Sequence, residues 1–291
     1  MFPYILDCAQ PMNYDPKQIR TALDEMSQLK TESSNPLTEG LSDLGAAQIL
    51  QLINAEDQSV SGIVAEQIPS LTEVVRAAVK AIKSEGRLVY VGAGTSGRLG
   101  VLDAAECPPT FGVPPTMVIG IIAGGDSALK VAAEGAEDDE EQAASDLKAH
   151  NVCENDAVLG ITARGKTPYV RAFLEVAKLR GAWTGLLTCN AVKKSDELDD
   201  LVVLDVGPEV VTGSTRMKAG LATKMALTMI STATMVRLGR VEGNRMVRLM
   251  PNSTKLKARQ VKLLMDTHGV SLEEAAWRLE AVDGDINKAM E

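Results

Sequence analysis

The chain has 291 residues, 45% of them hydrophobic and 24% charged, a composition suited to one large folded domain with appendages. Aromatic residues make up only 3%, so the core must be mainly aliphatic. The formal net charge of −9 opposes binding to nucleic acid or anionic membranes, and four scattered cysteines with two histidines make a poor metal set, so no nucleic acid, membrane or metal partner is expected.

The first 14 residues show no periodicity and lack the basic start of a signal peptide; they are expected to form a loose tail. Asp15 as N-cap and Pro16 at the first helical position start a helix over DPKQIRTALDEMSQLK. The turn formers of TESSNPLTEG end it. From Ser42 to Lys83 apolar residues recur at helical spacing, as in Val74, Val75, Ala78, Val79 and Ile82, which predicts two or three helices.

Strands and helices then alternate. The strands are RLVYVGAG, TMVIGIIAGG, DAVLGITAR, WTGLLTCN and LDDLVVLDV. Helices are expected from Ser96 to Ala105, over an acidic segment from Asp126 to about His150, from Pro168 to Arg180, and from about Ser214 to Leu238. The methionines of TKMALTMISTATM, within the last of these, are read as core. Short Val-, Ile- and Leu-rich runs separated by helices predict a parallel sheet covered on both faces, with ligands at the carboxyl ends of its strands. No apolar run approaches the roughly 18 residues of a membrane span. A reduced, cytoplasmic protein is the simplest reading. After Pro251 the pattern turns wholly helical: one helix capped by Asn252 or Ser253 and stopped by Gly269, then two more, with Ser271 and Glu274 as a capping box and Asp283-Gly284 as a turn.

Three loops carry chemistry. In VGAGTSGRLGVLDAAEC, Gly92, Gly94 and Gly97 spell G-x-G-x-x-G, but the acid that a dinucleotide site needs about 20 residues later is absent. What remains is a glycine turn, the free N–H groups of a helix start, and the hydroxyls of Thr95 and Ser96, which together favour a phosphate. A tight strand-to-helix turn without a ligand is the structural alternative. TARGKTPYV (Thr162, Arg164, Gly165, Thr167) and TGSTRMKAG (Ser214, Arg216, Lys218) repeat the hydroxyl-rich helix start. Each could be a cap alone; three in one sheet point to a phosphorylated small molecule.

VGAGTSGRLGVLDAAECPPTFGV, IAGGDSALKVAAEGAEDD, TPYV, GPEVVTGSTRMKAG and LKTESSNP…NAEDQSV resemble the N-acetylmuramic acid 6-phosphate etherases, members of the sugar-isomerase (SIS) phosphosugar fold. The resemblance runs from about Leu29 to the C-terminus. It implies a three-layer αβα sandwich with a mainly parallel sheet over residues 29–250, an N-terminal extension over 1–28, and a small, shortened C-terminal helical (UBA-like) subdomain over 251–291. The implied reaction cleaves the D-lactyl ether of N-acetylmuramic acid 6-phosphate, giving N-acetylglucosamine 6-phosphate and D-lactate in cell-wall sugar recycling. No metal or cofactor is implied, and a homodimer is.

By the same resemblance Glu106 is the proton donor and Glu137 the base, with Thr95, Ser96, Gly97, Arg98, Thr162, Arg164, Gly165, Thr167, Ser214, Arg216 and Lys218 around sugar or phosphate. Arg164 stands where the family has a phosphate-holding serine, and it either faces the phosphate or blocks it. The aldehyde of the open-chain sugar makes the C2 proton acidic; one carboxylate removes it while the other, protonated, donates to the departing lactate oxygen. A non-catalytic phosphosugar-binding regulator and a phosphosugar isomerase are the alternatives. Neither needs both glutamates.

Overall fold

A computed structural model describes residues 15–246 and 254–290. The loose tail expected over residues 1–14, the Pro251 boundary and the Asn252 or Ser253 cap lie outside the described residues. Helix α1 (Pro16–Met26) starts as expected, with the Asp15 carboxylate accepting from the Lys17 N–H at 2.9 Å. Residues 30–43 make three short 3₁₀ turns. Three helices follow: α2 (Ala46–Asp57), α3 (Val60–Glu66) and α4 (Ile68–Lys83), the last burying Leu71, Val74, Ala78 and Ala81 along one stripe.

The sheet consists of β1 (Leu88–Gly92), β2 (Val118–Ile122), β3 (Ala157–Thr162), β4 (Trp183–Thr188) and β5 (Asp200–Val203), all parallel, in the order β2-β1-β3-β4-β5. Helices α5 (Gly94–Phe111), α6 (Glu140–Ala149), α7 (Pro168–Leu179) and α8 (Lys218–Arg237) cover it. Alternation along each strand divides the core into two layers. Leu88 and Tyr90 of β1 join α3, α4, α5 and α8, whereas Val89 and Val91 join α6 and α7. This is the expected three-layer αβα sandwich. Chain order reverses between β1 and β3, so the loops after these two strands diverge there and leave a crevice at their carboxyl ends.

Several elements differ from expectation. The acidic stretch after β2 is not one helix: Asp126–Leu129 and Ala136–Asp138 are 3₁₀ turns, Gly124, Gly125 and Gly135 hold positive φ, and only Glu140–Ala149 is α-helical. Helix α5 does not stop before Pro108-Pro109; it carries both prolines in its last turn and ends at Gly112, φ +60°, whose N–H donates to Pro108 O. Helix α8 begins at Lys218 rather than Ser214. A hairpin of β6 (Val241–Glu242) and β7 (Arg245–Met246) follows it, unforeseen although Gly243-Asn244 sits at its turn. Of the α8 methionines read as core, Met235 is fully buried, but Met225 and Met229 are 37% and 38% exposed.

The C-terminal helices α9 (Thr254–His268), α10 (Leu272–Glu280) and α11 (Ile286–Ala289) enclose a small core of their own, built on Leu263, Leu264, Ala275, Leu279 and Ile286. Ser271 Oγ accepts from the Glu274 N–H, and Gly269 at φ +66° follows α9, as the sequence predicts.

Candidate functional site

The β1–α5 connection is built by close approach. A Cβ on Gly92 would stand 2.7 Å from Gly97 N, and one on Gly97 would stand 2.6 Å from both Gly92 O and Ile122 Cγ1. Only glycine lets helix and strand touch there. Gly94 opens the helix at φ +53°. The glycine pattern thus packs α5 against β1 and β2, and its fourth and fifth positions, Thr95 and Ser96, face the crevice.

That crevice is a cavity of about 160 Å³ at the switch point. Thr95 and Ser96 line it from the first loop, Thr162, Arg164 and Thr167 from the β3–α7 loop, and Thr215, Ala219, Gly220 and Thr223 from the start of α8. Glu137, on the 3₁₀ turn after β2, closes the remaining side. Thr162 Oγ1 and Thr167 Oγ1 lie 2.6 Å apart. No side chain of the N-cap residue caps α5 or α7, so both helix starts present backbone donors and positive dipole ends to the cavity. An anion with several acceptor oxygens fits this set of groups.

The third helix start is different. Glu209, fully buried, accepts from the backbone N–H groups of Lys218 and Ala219 at 2.9 Å each. Burial pushes the Glu209 carboxyl above its usual range, against those two bonds. The positive end of α8 is therefore occupied by the protein's own carboxylate. The Lys218 side chain, 5% exposed, pairs with Glu56 Oε2 at 2.6 Å, and Glu56 also accepts from Asn35 Nδ2 at 2.8 Å. Lys218 and Glu209 hold α8 to α2 and to the preceding loop, and Lys218 does not line the cavity.

The other expected contacts divide. Arg164 Nη2 stands 3.0 Å from Glu32 Oε1, a pairing the sequence did not signal because Glu32 lies 132 positions away. The Glu32 side chain is 7% exposed, seated against Gly213 at φ +74°. Arg98 donates to Leu129 O at 3.2 Å and borders the adjoining cleft beside Glu134 and Glu137. Gly97 and Gly165 are buried, Arg216 is exposed, and none of these three, nor Ser214, lines the cavity; Thr215, one residue on from Ser214, does.

Glu106 lies elsewhere. It is exposed on α5, ten residues after Ser96, about 15 Å along the helix axis at 1.5 Å per residue. It borders a second cavity of about 360 Å³ between α5 and α8, with Asp103, Cys107, Phe111, Lys224, Leu227 and Ser231. Asp103 accepts from Tyr90 OH at 3.0 Å and from Ser231 Oγ at 3.1 Å. Burial raises the Asp103 carboxyl, and burial with the nearby Asp103 charge pushes the Cys107 thiol up to about 12. Leu99 borders both cavities. Within one chain, Glu106 and Glu137 do not meet.

Residues 70–178 match the family model of the glucokinase regulatory protein N-terminal SIS domain. Among solved structures, a candidate phosphosugar isomerase involved in capsule formation, from Bacteroides fragilis NCTC 9343, superposes with a TM-score of 0.53 at 19% identity, covering 71% of this chain and 98% of that one, which supports the fold. The N-acetylmuramic acid 6-phosphate etherase of Jannaschia sp. is 46% identical over 267 residues, covering 91% of this chain and 84% of its own. That of Rhodopirellula baltica is 47% identical over 269 residues, covering 92% and 89%. With identity of this level over about nine-tenths of its length, the chain belongs to the N-acetylmuramic acid 6-phosphate etherase family.

Proposed function

We propose that the protein cleaves the D-lactyl ether of N-acetylmuramic acid 6-phosphate by elimination and water addition, releasing D-lactate and N-acetylglucosamine 6-phosphate in cell-wall amino-sugar recycling. The observation that carries this reading is the switch-point cavity, where two uncapped helix starts and the hydroxyls of Thr95, Ser96, Thr162 and Thr167 face Glu137 in a chain of this family. The donors take the phosphate; Glu137 takes the C2 proton of the open-chain sugar. Glu106 gives its proton to the lactate oxygen as the C3–O bond breaks. Water then adds at C3, losing a proton to the Glu106 carboxylate, and Glu137, its proton exchanged with solvent in the meantime, protonates C2. The balance consumes one water and no redox equivalent.

Arg164, which lines the cavity and pairs with Glu32, adds a cation to the phosphate side. We place the enzyme in the cytoplasm, as a homodimer. We further assign residues 1–28 as an extension, 29–250 as the phosphosugar domain and 251–291 as a helical subdomain. Among the described residues no helix is long and apolar enough to cross a membrane.

The test is incubation with N-acetylmuramic acid 6-phosphate and assay of D-lactate; folded protein that releases none refutes the reading. In deuterated water the product should carry deuterium at C2. Product without it refutes elimination while leaving the overall cleavage intact.

A further inference from the structure

A carboxylate taken out of water needs a cation beside it. The Glu32 side chain is 7% exposed, and among the described residues only Arg164 supplies one, with Nη2 at 3.0 Å from Oε1. That oxygen has no aligned hydrogen-bond donor, so charge rather than a directed bond holds the pair. Arg164 is in turn the only cation, among the described residues, that lines the switch-point cavity; the other charged lining residue is Glu137. The pair thus couples a buried anion to the one positive side chain at the proposed phosphate subsite.

Its two ends are not equally free. Asn190, 2% exposed, donates from Nδ2 to Thr31 Oγ1 and to Ala163 O, each at 2.9 Å, and its Oδ1 accepts from the Thr31 N–H at 3.3 Å. One side chain therefore fixes both the residue before Glu32 and the residue before Arg164. Gly213 closes the far side of the carboxylate: a Cβ there would stand 2.9 Å from Glu32 Oε2. The Arg164 side chain, by contrast, is 52% exposed, and among the described residues no hydrogen bond occupies its Nε or Nη1. A guanidinium carries five N–H donors in a planar fork, so one edge can stay with a carboxylate while another meets a phosphate.

We propose that Glu32 is a positioning residue for the substrate phosphate: it holds Arg164 at the cavity by one nitrogen and leaves the remaining donors of the guanidinium to the phosphate. Glu32 does not line the cavity, so its effect on binding runs through Arg164 and reverses sign when Arg164 is removed. With Arg164 present, Glu32 stations a cation and spares the ligand the cost of ordering a mobile arginine. Without Arg164, Glu32 is a buried, uncompensated anion that repels an incoming phosphate monoester of charge about −2. The place of the phosphate is that of the proposed etherase reading, on which the assignment rests.

Two readouts test the arrangement: the kinetics of lactate release, and calorimetric binding of inorganic phosphate, which needs no turnover. Arg164→Ser should raise KM about tenfold, the loss of one charge-assisted hydrogen bond at a half-exposed site, with the change falling on KM rather than kcat. Glu32→Gln, which keeps the shape and the Asn190 clamp, should raise KM and the phosphate Kd about threefold to tenfold in the otherwise native chain, the cost of ordering one arginine side chain. In the Arg164→Ser background the same substitution should lower both. A merely structural role for Glu32 moves the two backgrounds in one direction, and that result overturns the proposal. So does phosphate binding that Glu32→Gln leaves unchanged, or a wild type that binds no inorganic phosphate.

If thermal unfolding shows that Glu32→Gln does not fold, Arg164→Lys reads the same geometry. A compact ammonium has no second edge to divide between carboxylate and phosphate, so the phosphate Kd should rise toward the Arg164→Ser value, and a wild-type Kd overturns the proposal. Absence of lactate from the wild type, with the reversal in phosphate binding intact, would refute the etherase reading alone.

Discussion

Glu209→Ala removes the carboxylate that ends α8 and leaves the Lys218 and Ala219 N–H groups buried without acceptors. A hydrogen bond to a charged group contributes about 1.5–3 kcal/mol, so the two together represent about 3–6 kcal/mol. The desolvation that raises the Glu209 carboxyl offsets part of this, leaving an expected loss of about 2–4 kcal/mol. At roughly 2–3 °C per kcal/mol for a chain of this size, the midpoint of thermal unfolding followed by far-ultraviolet circular dichroism should fall by about 5–10 °C. The sign of the pH dependence is also fixed. The folded state binds this proton more tightly than the unfolded chain, so the wild type gains on the variant as pH falls from 7 through the raised value, and the gain is complete below the ordinary value of 4.5. A fall of less than about 2 °C, or a gap that narrows on acidification, would refute the reasoning.

Gly97→Ala should push α5 away from Gly92 O and Ile122, costing about 1–3 kcal/mol by overpacking and abolishing phosphosugar binding measured by calorimetry; unchanged binding would show that the loop tolerates the shift. Asp156, 2% exposed, accepts from Arg87 N, Nε and Nη2 and from Cys153 N at the amino ends of β1 and β3, so Asp156→Ala should cost about 3–5 kcal/mol in urea unfolding. The same variant should leave KM nearly unchanged, because the cavity lies at the other end of those strands. With their thiols pushed up to about 12, Cys107 and Cys189 are about one part in ten thousand thiolate at pH 8. Iodoacetamide should therefore spare both in the folded protein, as read by peptide mass spectrometry, and prompt labelling of either would mean that its layer opens.

The strands and the two loops at the switch point were legible because their signals are local: Val, Ile and Leu runs bounded by glycine, and hydroxyls placed at helix starts. The same local reasoning expected the start of α8 to offer its N–H groups to a phosphate, and two of them, on Lys218 and Ala219, are taken by Glu209. Glu209 caps that helix from nine residues upstream, outside the three-residue span of a capping box, and nothing in the spacing marks it. Ser214 and Thr215 are adjacent hydroxyls in TGSTRMKAG, and only the fold says that the second faces the cavity. Met225 and Met229 read as core because helical spacing reports that a face is apolar, not what covers it. The Glu32–Arg164 pair joins segments remote in sequence, which no motif records.

Thr31 is fully buried; its hydroxyl accepts from Asn190 Nδ2 at 2.9 Å, and its carbonyl takes the Gly213 N–H at 3.1 Å. The first of these contacts closes a loop of 159 residues. Closing a loop of that length costs about 4–5 kcal/mol of chain entropy, which the sheet must already have absorbed before this segment docks. During synthesis the segment that carries Glu32, the partner of Arg164, thus waits for β4 and the chain beyond it to emerge, although its own residues leave the ribosome near the start. The same economy runs in reverse in the mature protein: the segment around Thr31 can detach without breaking the sheet, so its amides should exchange with solvent well ahead of those of β1 and β3. The contact that holds Arg164 from behind is then made only once the sheet is in place and is open to loss while the sheet stays intact.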